Sequence, residues 1–138
     1  MINLPLLIIV LAALLLVLLA GSLLIRRNKR ANLDTTYFKT RWKELSTLCN
    51  DAKTWPLAVI DADKLVDEAL KKCHYKGKTM GERLVSAQHD LSSNDSVWFG
   101  HKLRNKLVHE NYKLSGKTEV KDALLGFLQA LKDVGAIK

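Results

Sequence analysis

No run of alternating polar and apolar residues long enough for a half-buried strand occurs in this 138-residue chain, which excludes a sheet-based fold. Cysteine is scarce. Cys49 and Cys73 stand 24 positions apart without a C-x-x-C pattern, which excludes a disulfide scaffold, and both read as small buried hydrophobes in a reducing compartment. The four histidines, His74, His89, His101 and His109, form no close ligand pair with one another or with cysteine, so no metal and no cofactor is expected. A phosphate loop is missing too. Two Gly-Lys-Thr strings occur, at 77–79 and 116–118, but the further glycine such a loop needs is replaced by Lys72 and Asn111, and no strand precedes either. Both strings read as turns in which Gly ends one helix and Thr starts the next.

Charge is absent altogether from Leu4 to Ile25, a run dominated by Leu, Ile, Val and Ala. Its 22 residues, wound as a helix, reach about 33 Å, enough to cross a hydrocarbon core of about 30 Å. A secretory signal would carry its basic residues ahead of a shorter apolar stretch. Here only Met1, Ile2 and Asn3 precede the run, and Arg26, Arg27, Lys29 and Arg30 follow it at once. That asymmetry predicts an uncleaved single-pass anchor (1–25) in the cell (inner) membrane, N-terminus outside, then a basic juxtamembrane linker (26–33) and a cytoplasmic domain (34–138). Setting those four aside leaves 18 of the 22 basic residues against 14 acidic ones, an excess of four that suits anionic lipid or RNA and demands neither.

Past the linker, apolar residues recur with helical spacing throughout, which predicts an all-α fold: the anchor, then an antiparallel bundle of four to five short helices. The first starts at Asp34 or Thr35 with Phe38, Trp42, Leu45, Cys49 and Ala52 on one face. The second begins near Thr54, tolerates Pro56 in its first turn, and buries Val59, Ala62, Val66, Ala69, Leu70 and Cys73. Thr79 and Glu82 form a capping box opening a third, with Met80, Leu84, Ala87 and Leu91 inward. After a polar break at 92–95, a fourth helix covers about 95–110 and a fifth about 118–134. Trp42, Trp55 and Trp98, spaced singly, read as core rather than base-stacking surfaces.

The informative stretch is His101-Lys102-Leu103-Arg104-Asn105-Lys106-Leu107-Val108-His109-Glu110. On a helix His101, Asn105 and His109 follow one line, with Arg104 beside them and Val97 and Val108 on the same face. Burying an arginine, an amide and two imidazoles demands a partner for each, so a face turned to a cleft or a second subunit is cheaper. Asp63 falls within the apolar stripe of its helix and wants a cation, either Arg104 or His109, or else bonds water at an edge. Asp61 and Asp67 are expected toward solvent.

The string Arg-Asn-Lys-Leu-Val-His resembles the signature of HEPN domains (higher eukaryotes and prokaryotes nucleotide-binding). In these small helical bundles an Arg, often followed by Asn, precedes a His four to six residues on along a late helix. The helical pattern covers about 35–138, and the specific match is Arg104, Asn105 and His109. The resemblance implies a metal-independent endoribonuclease acting as a homodimer, the motif helices meeting across a two-fold axis. His109 would move the proton, Arg104 would stabilise the phosphorane charge and Asn105 would orient the phosphate or the imidazole. His101 would serve as a structural hydrogen-bond partner or a second proton shuttle. A Tyr two positions after the His marks one branch of the family, whereas Asn111 stands there in this chain. The alternative is a non-catalytic scaffold for binding or dimerisation at the cytoplasmic membrane face.

Overall fold

The computed structural model describes residues 3–31 and 33–138, and side-chain description of the first helix stops at residue 25. The chain forms two compact units, Met1–Asn32 and Leu33–Lys138. The first is a single helix, α1 (Leu4–Ala31), whose segment Leu4–Ile25 is long and apolar enough to cross a membrane, with a mean hydropathy of 3.1. The linker expected from residue 26 is instead helical to Ala31. Arg26-Arg27-Asn28-Lys29-Arg30-Ala31 contains neither glycine nor proline, so nothing in it breaks the backbone pattern. The side chains of Arg26, Arg27, Lys29 and Arg30 lie outside the described residues.

The second unit holds five α-helices joined by short connections and contains no strand among its described residues. Helix α2 (Thr35–Thr47) opens where the Asp34 carboxylate accepts a bond from the Tyr37 N–H at 3.0 Å, and it buries Phe38 and Leu45. It stops earlier than its apolar spacing suggests. The hydroxyls of Ser46 and Thr47 donate back to the Trp42 and Glu44 carbonyls, and Asp51 turns extended, its carboxylate accepting from the Lys53 N–H. Two 3₁₀ turns follow, Leu48–Asn50 and Ala52–Thr54, so Cys49 is only half-buried and Ala52 is exposed, against the expected continuous stripe.

Helix α3 (Trp55–Lys72) is the hub, packing against α2, α4, α5 and α6, and its expected stripe through Val59, Ala62, Val66, Ala69, Leu70 and Cys73 is fully buried. Its end departs from expectation. His74 rather than Gly77 takes the left-handed conformation, at φ 61°, and the Tyr75 N–H returns to the Leu70 carbonyl at 3.1 Å. An L side chain pays roughly 1–2 kcal/mol there. His74→Gly is therefore expected to raise stability by about 1 kcal/mol, read as a higher denaturation midpoint; a lower midpoint would refute the strain.

Helix α4 (Met80–Ala87) begins at the Thr79 cap, whose hydroxyl oxygen accepts from the Glu82 N–H at 3.2 Å, while Glu82 reaches back to the Lys78 N–H at 2.6 Å. Met80, Leu84, Ala87 and Leu91 all point inward. Helices α5 (Asn94–His109) and α6 (Lys117–Asp133) form the closest pair. A Cβ at Gly126 would stand 2.3 Å from the Ser96 carbonyl oxygen, and one at Gly100 would stand 2.7 Å from the Phe127 ring, so each helix uses a glycine to admit the other. The second Gly-Lys-Thr string is not a helix-ending turn either. Asn111, at φ 48°, follows α5, and Gly116 directly precedes α6, leaving Thr118 inside it.

Candidate functional site

Asp63 sits in the middle of α3 with 4% of its surface exposed, a position where an ionised carboxylate needs partners. It finds two on α5. Its Oδ1 lies 2.8 Å from Nδ1 of His101, and its Oδ2 lies 3.6 Å from Nε of Arg104. The second separation is an ion pair but too long for a hydrogen bond, and Arg104 Nε, shielded from solvent, has no other acceptor. Of the partners foreseen for Asp63, Arg104 is present and His109 is not; the nearest base is His101.

From this pair a chain of polar contacts leads outward. A guanidinium can only donate, so the 3.0 Å contact from Arg104 Nη1 fixes the oxygen of the Asn105 amide toward arginine and turns its nitrogen to His101 Nε2, 3.4 Å away. Because Nδ2 donates, Nε2 is left as the acceptor while Nδ1 carries its hydrogen toward Asp63. The carboxylate thus sets the imidazole tautomer, as a buried acid does wherever a histidine must present a lone pair in one direction. The Trp98 ring meets the imidazole edge to face, with centroids 5.7 Å apart, and closes one side.

These residues border an open groove of about 450 Å³ between α3, α4 and α5, with Asp63, His101, Arg104 and Asn105 on one wall and Thr79 and Gly81 on the other. A Cβ at Gly81 would come within 3.8 Å of His101 Nε2, so the absence of a side chain there leaves the imidazole reachable. Arg104 exposes about a quarter of its side chain, 26%, into this space.

The polar line foreseen along α5 therefore divides. His101 is buried, Asn105 and Arg104 are half-buried at the groove, and His109 is exposed at the end of the helix, without a hydrogen bond or ion pair among the described residues. Val97 and Val108 part in the same way, the first fully buried and the second 44% exposed, because the face that α3 and α6 cover ends before the last turn.

A second ion pair escaped the sequence reading. Arg83 of α4 is 6% exposed, and its Nε donates to Asp67 Oδ1 at 2.6 Å while Nη1 donates to the Gly77 carbonyl at 2.6 Å. Asp67, expected toward solvent, is thus held at the groove edge and also pairs with Lys71 at 2.8 Å. Burial alone would push its carboxyl up, but the bonds from Arg83 and Lys71 outweigh that and hold it below the usual carboxylate range. The signal was present in the sequence: Arg83 occupies the apolar face of α4 beside Met80, Leu84 and Ala87, the same anomaly that marked Asp63 on α3. Asp61 is more open and faces Lys64 at 3.7 Å. Among the described residues, no group of three or more His, Cys, Asp or Glu is gathered as metal ligands would be. Comparison with protein-family models, with curated proteins and with solved structures returned no match.

Proposed function

We propose that the 33–138 bundle is an HEPN-like ribonuclease domain that cleaves RNA without a metal, working as a homodimer on the cytoplasmic side of a membrane in which α1 is embedded with its N-terminus outside. The observation that carries this reading is the partly satisfied Arg104 guanidinium, held at the mouth of an open groove beside Asn105 and on the helix that ends in the unpaired His109. An arginine with donors to spare, in a fixed position, suits the charge that builds on a phosphorane. Lys102 and Lys106, exposed on the same helix, add the positive field that draws a phosphate backbone.

In the proposed reaction the RNA 2′-oxygen bonds to the adjacent phosphorus and the bond from phosphorus to the 5′-oxygen breaks. His109 takes the 2′-hydroxyl proton, and the departing 5′-oxygen receives one from the second imidazole of the dimer or from water. Asn105 and Arg104 hold the non-bridging oxygens. The groove is near neutral in its fixed charges, so the backbone positions the phosphate through a few donors rather than through a strongly cationic channel.

A non-catalytic scaffold is favoured by one observation: the Asp63 carboxylate already engages both Arg104 and His101, which knits the motif into the fold. The two readings separate on one assay. Full-length protein in lipid nanodiscs, incubated with single-stranded RNA and excess chelator, is expected to release fragments ending in a 2′,3′-cyclic phosphate and to leave a 2′-O-methyl RNA intact. RNA that stays whole at protein concentrations where the dimer is formed overturns the nuclease and leaves the scaffold.

A further inference from the structure

A second cavity, lined by none of the groove residues, is not used by the ribonuclease reading. It is a pocket of about 190 Å³ between the 3₁₀ turns and α6, walled by Trp42, Trp55, Leu124 and Leu128. Its construction is firm. The Trp55 indole N–H donates to the Cys49 carbonyl at 3.0 Å, and the Thr54 hydroxyl donates to the Leu48 carbonyl, so the turn that carries the pocket wall is tied across itself.

Lys117 and Lys121, one turn apart on α6, border the pocket through the apolar stems of exposed side chains, with their ammonium groups outside its wall; no acid lines it, and neither lysine forms an ion pair among the described residues. Two exposed lysines whose stems border a tryptophan- and leucine-walled hollow suit a molecule with an apolar body and a single anionic head that stays at the rim. The size limits the body. At 190 Å³ the pocket falls below the roughly 300–1,000 Å³ of sites that enclose a drug-sized ligand, so it takes a short chain and not a whole lipid.

We propose that this pocket binds a medium-chain fatty carboxylate, the alkyl chain between Trp42, Trp55 and Leu128 and the carboxylate between Lys117 and Lys121. The Cys49 thiol lines the same pocket and reports on it. Cys49 is half-buried and Cys73 is buried at 1% exposure, so alkylation discriminates between them. Burial raises the Cys49 thiol while the nearby Lys117 charge lowers it, which means each variant must be compared with its own unliganded rate.

The experiment uses the full chain in phosphatidylcholine nanodiscs and follows N-ethylmaleimide addition to Cys49 by mass spectrometry, with octanoate as the probe below its micelle concentration and octanol as the uncharged twin. Octanoate is expected to slow alkylation saturably by at least about fivefold, octanol by less than about twofold. In Lys117→Gln/Lys121→Gln, which alters only exposed side chains, octanoate should fall to the level of octanol. Three results would overturn the proposal: no protection by octanoate, equal protection by octanol, or protection that appears without octanoate when phosphatidylglycerol is added to the discs. Protection that grows with protein concentration alone would also overturn it, since a second copy would then be the occupant. The outcome does not depend on RNA cleavage.

Discussion

Asp63→Ala should destabilise the bundle by about 3–5 kcal/mol, the usual consequence of removing one member of a buried charged cluster. The mutation removes the acceptor for His101 Nδ1 and the counter-charge of Arg104, whose Nε already lacks a hydrogen-bond partner. Both groups come from α5, while Asp63 comes from α3, so the deleted contacts tie two helices through the centre of the unit. Asp63→Asn keeps the volume and an oxygen that can accept from Nδ1, and it should lose clearly less. Denaturant unfolding of the full chain, followed by tryptophan fluorescence, measures both. If the two variants unfold within about 0.5 kcal/mol of the parent, the cluster contributes nothing to stability and its geometry must be explained by ligand binding alone.

The second large effect is on activity. In the proposed reaction, His109→Ala should lower RNA cleavage by about a hundredfold or more, the scale for loss of a general acid or base, and should leave the denaturation midpoint unchanged. The separation is possible because His109 is exposed and unpaired among the described residues, so nothing in the core registers its removal. Arg104→Ala offers no such separation, since it leaves Asp63 with one partner instead of two. A folded His109→Ala protein that still cuts RNA at the parent rate would remove His109 from the reaction and leave His101, with its oriented Nε2, as the remaining imidazole of the motif helix.

The helical architecture was legible because it depends on periodicity, and periodicity is a property of the chain alone. The stripes on α3 and α4 were read correctly, down to Cys73 and Leu91. Where the reading failed, a local competitor outweighed the pattern. Ser46 and Thr47 donated to carbonyls near the end of α2, Asp51 accepted from the Lys53 N–H beyond it, and the helix ended before Cys49. His74 accepted a backbone conformation that glycine adopts more easily, so the nearby Gly77 misled.

Of the residues singled out in the sequence, the structure gathers Asp63, His101, Arg104 and Asn105 at one groove and leaves His109 exposed at the end of α5. That Asp63 needed a cation followed from its place in an apolar stripe. Which cation it found depended on how α5 sits in the bundle, where Gly100 and Gly126 let α5 and α6 meet closely, a packing role that helical spacing does not show. In that arrangement His101 is buried and His109 exposed. Arg83 could have been flagged by the argument that flagged Asp63, but its partner Asp67, read as facing solvent, could not.

The notch that Gly126 cuts for the Ser96 carbonyl has a mechanical consequence. With backbone seated against backbone, α5 has no cushion of side chains on which to roll or slide along its neighbour. The helix that carries His101, Arg104 and Asn105 is therefore clamped against α6, and the groove wall it forms keeps one shape.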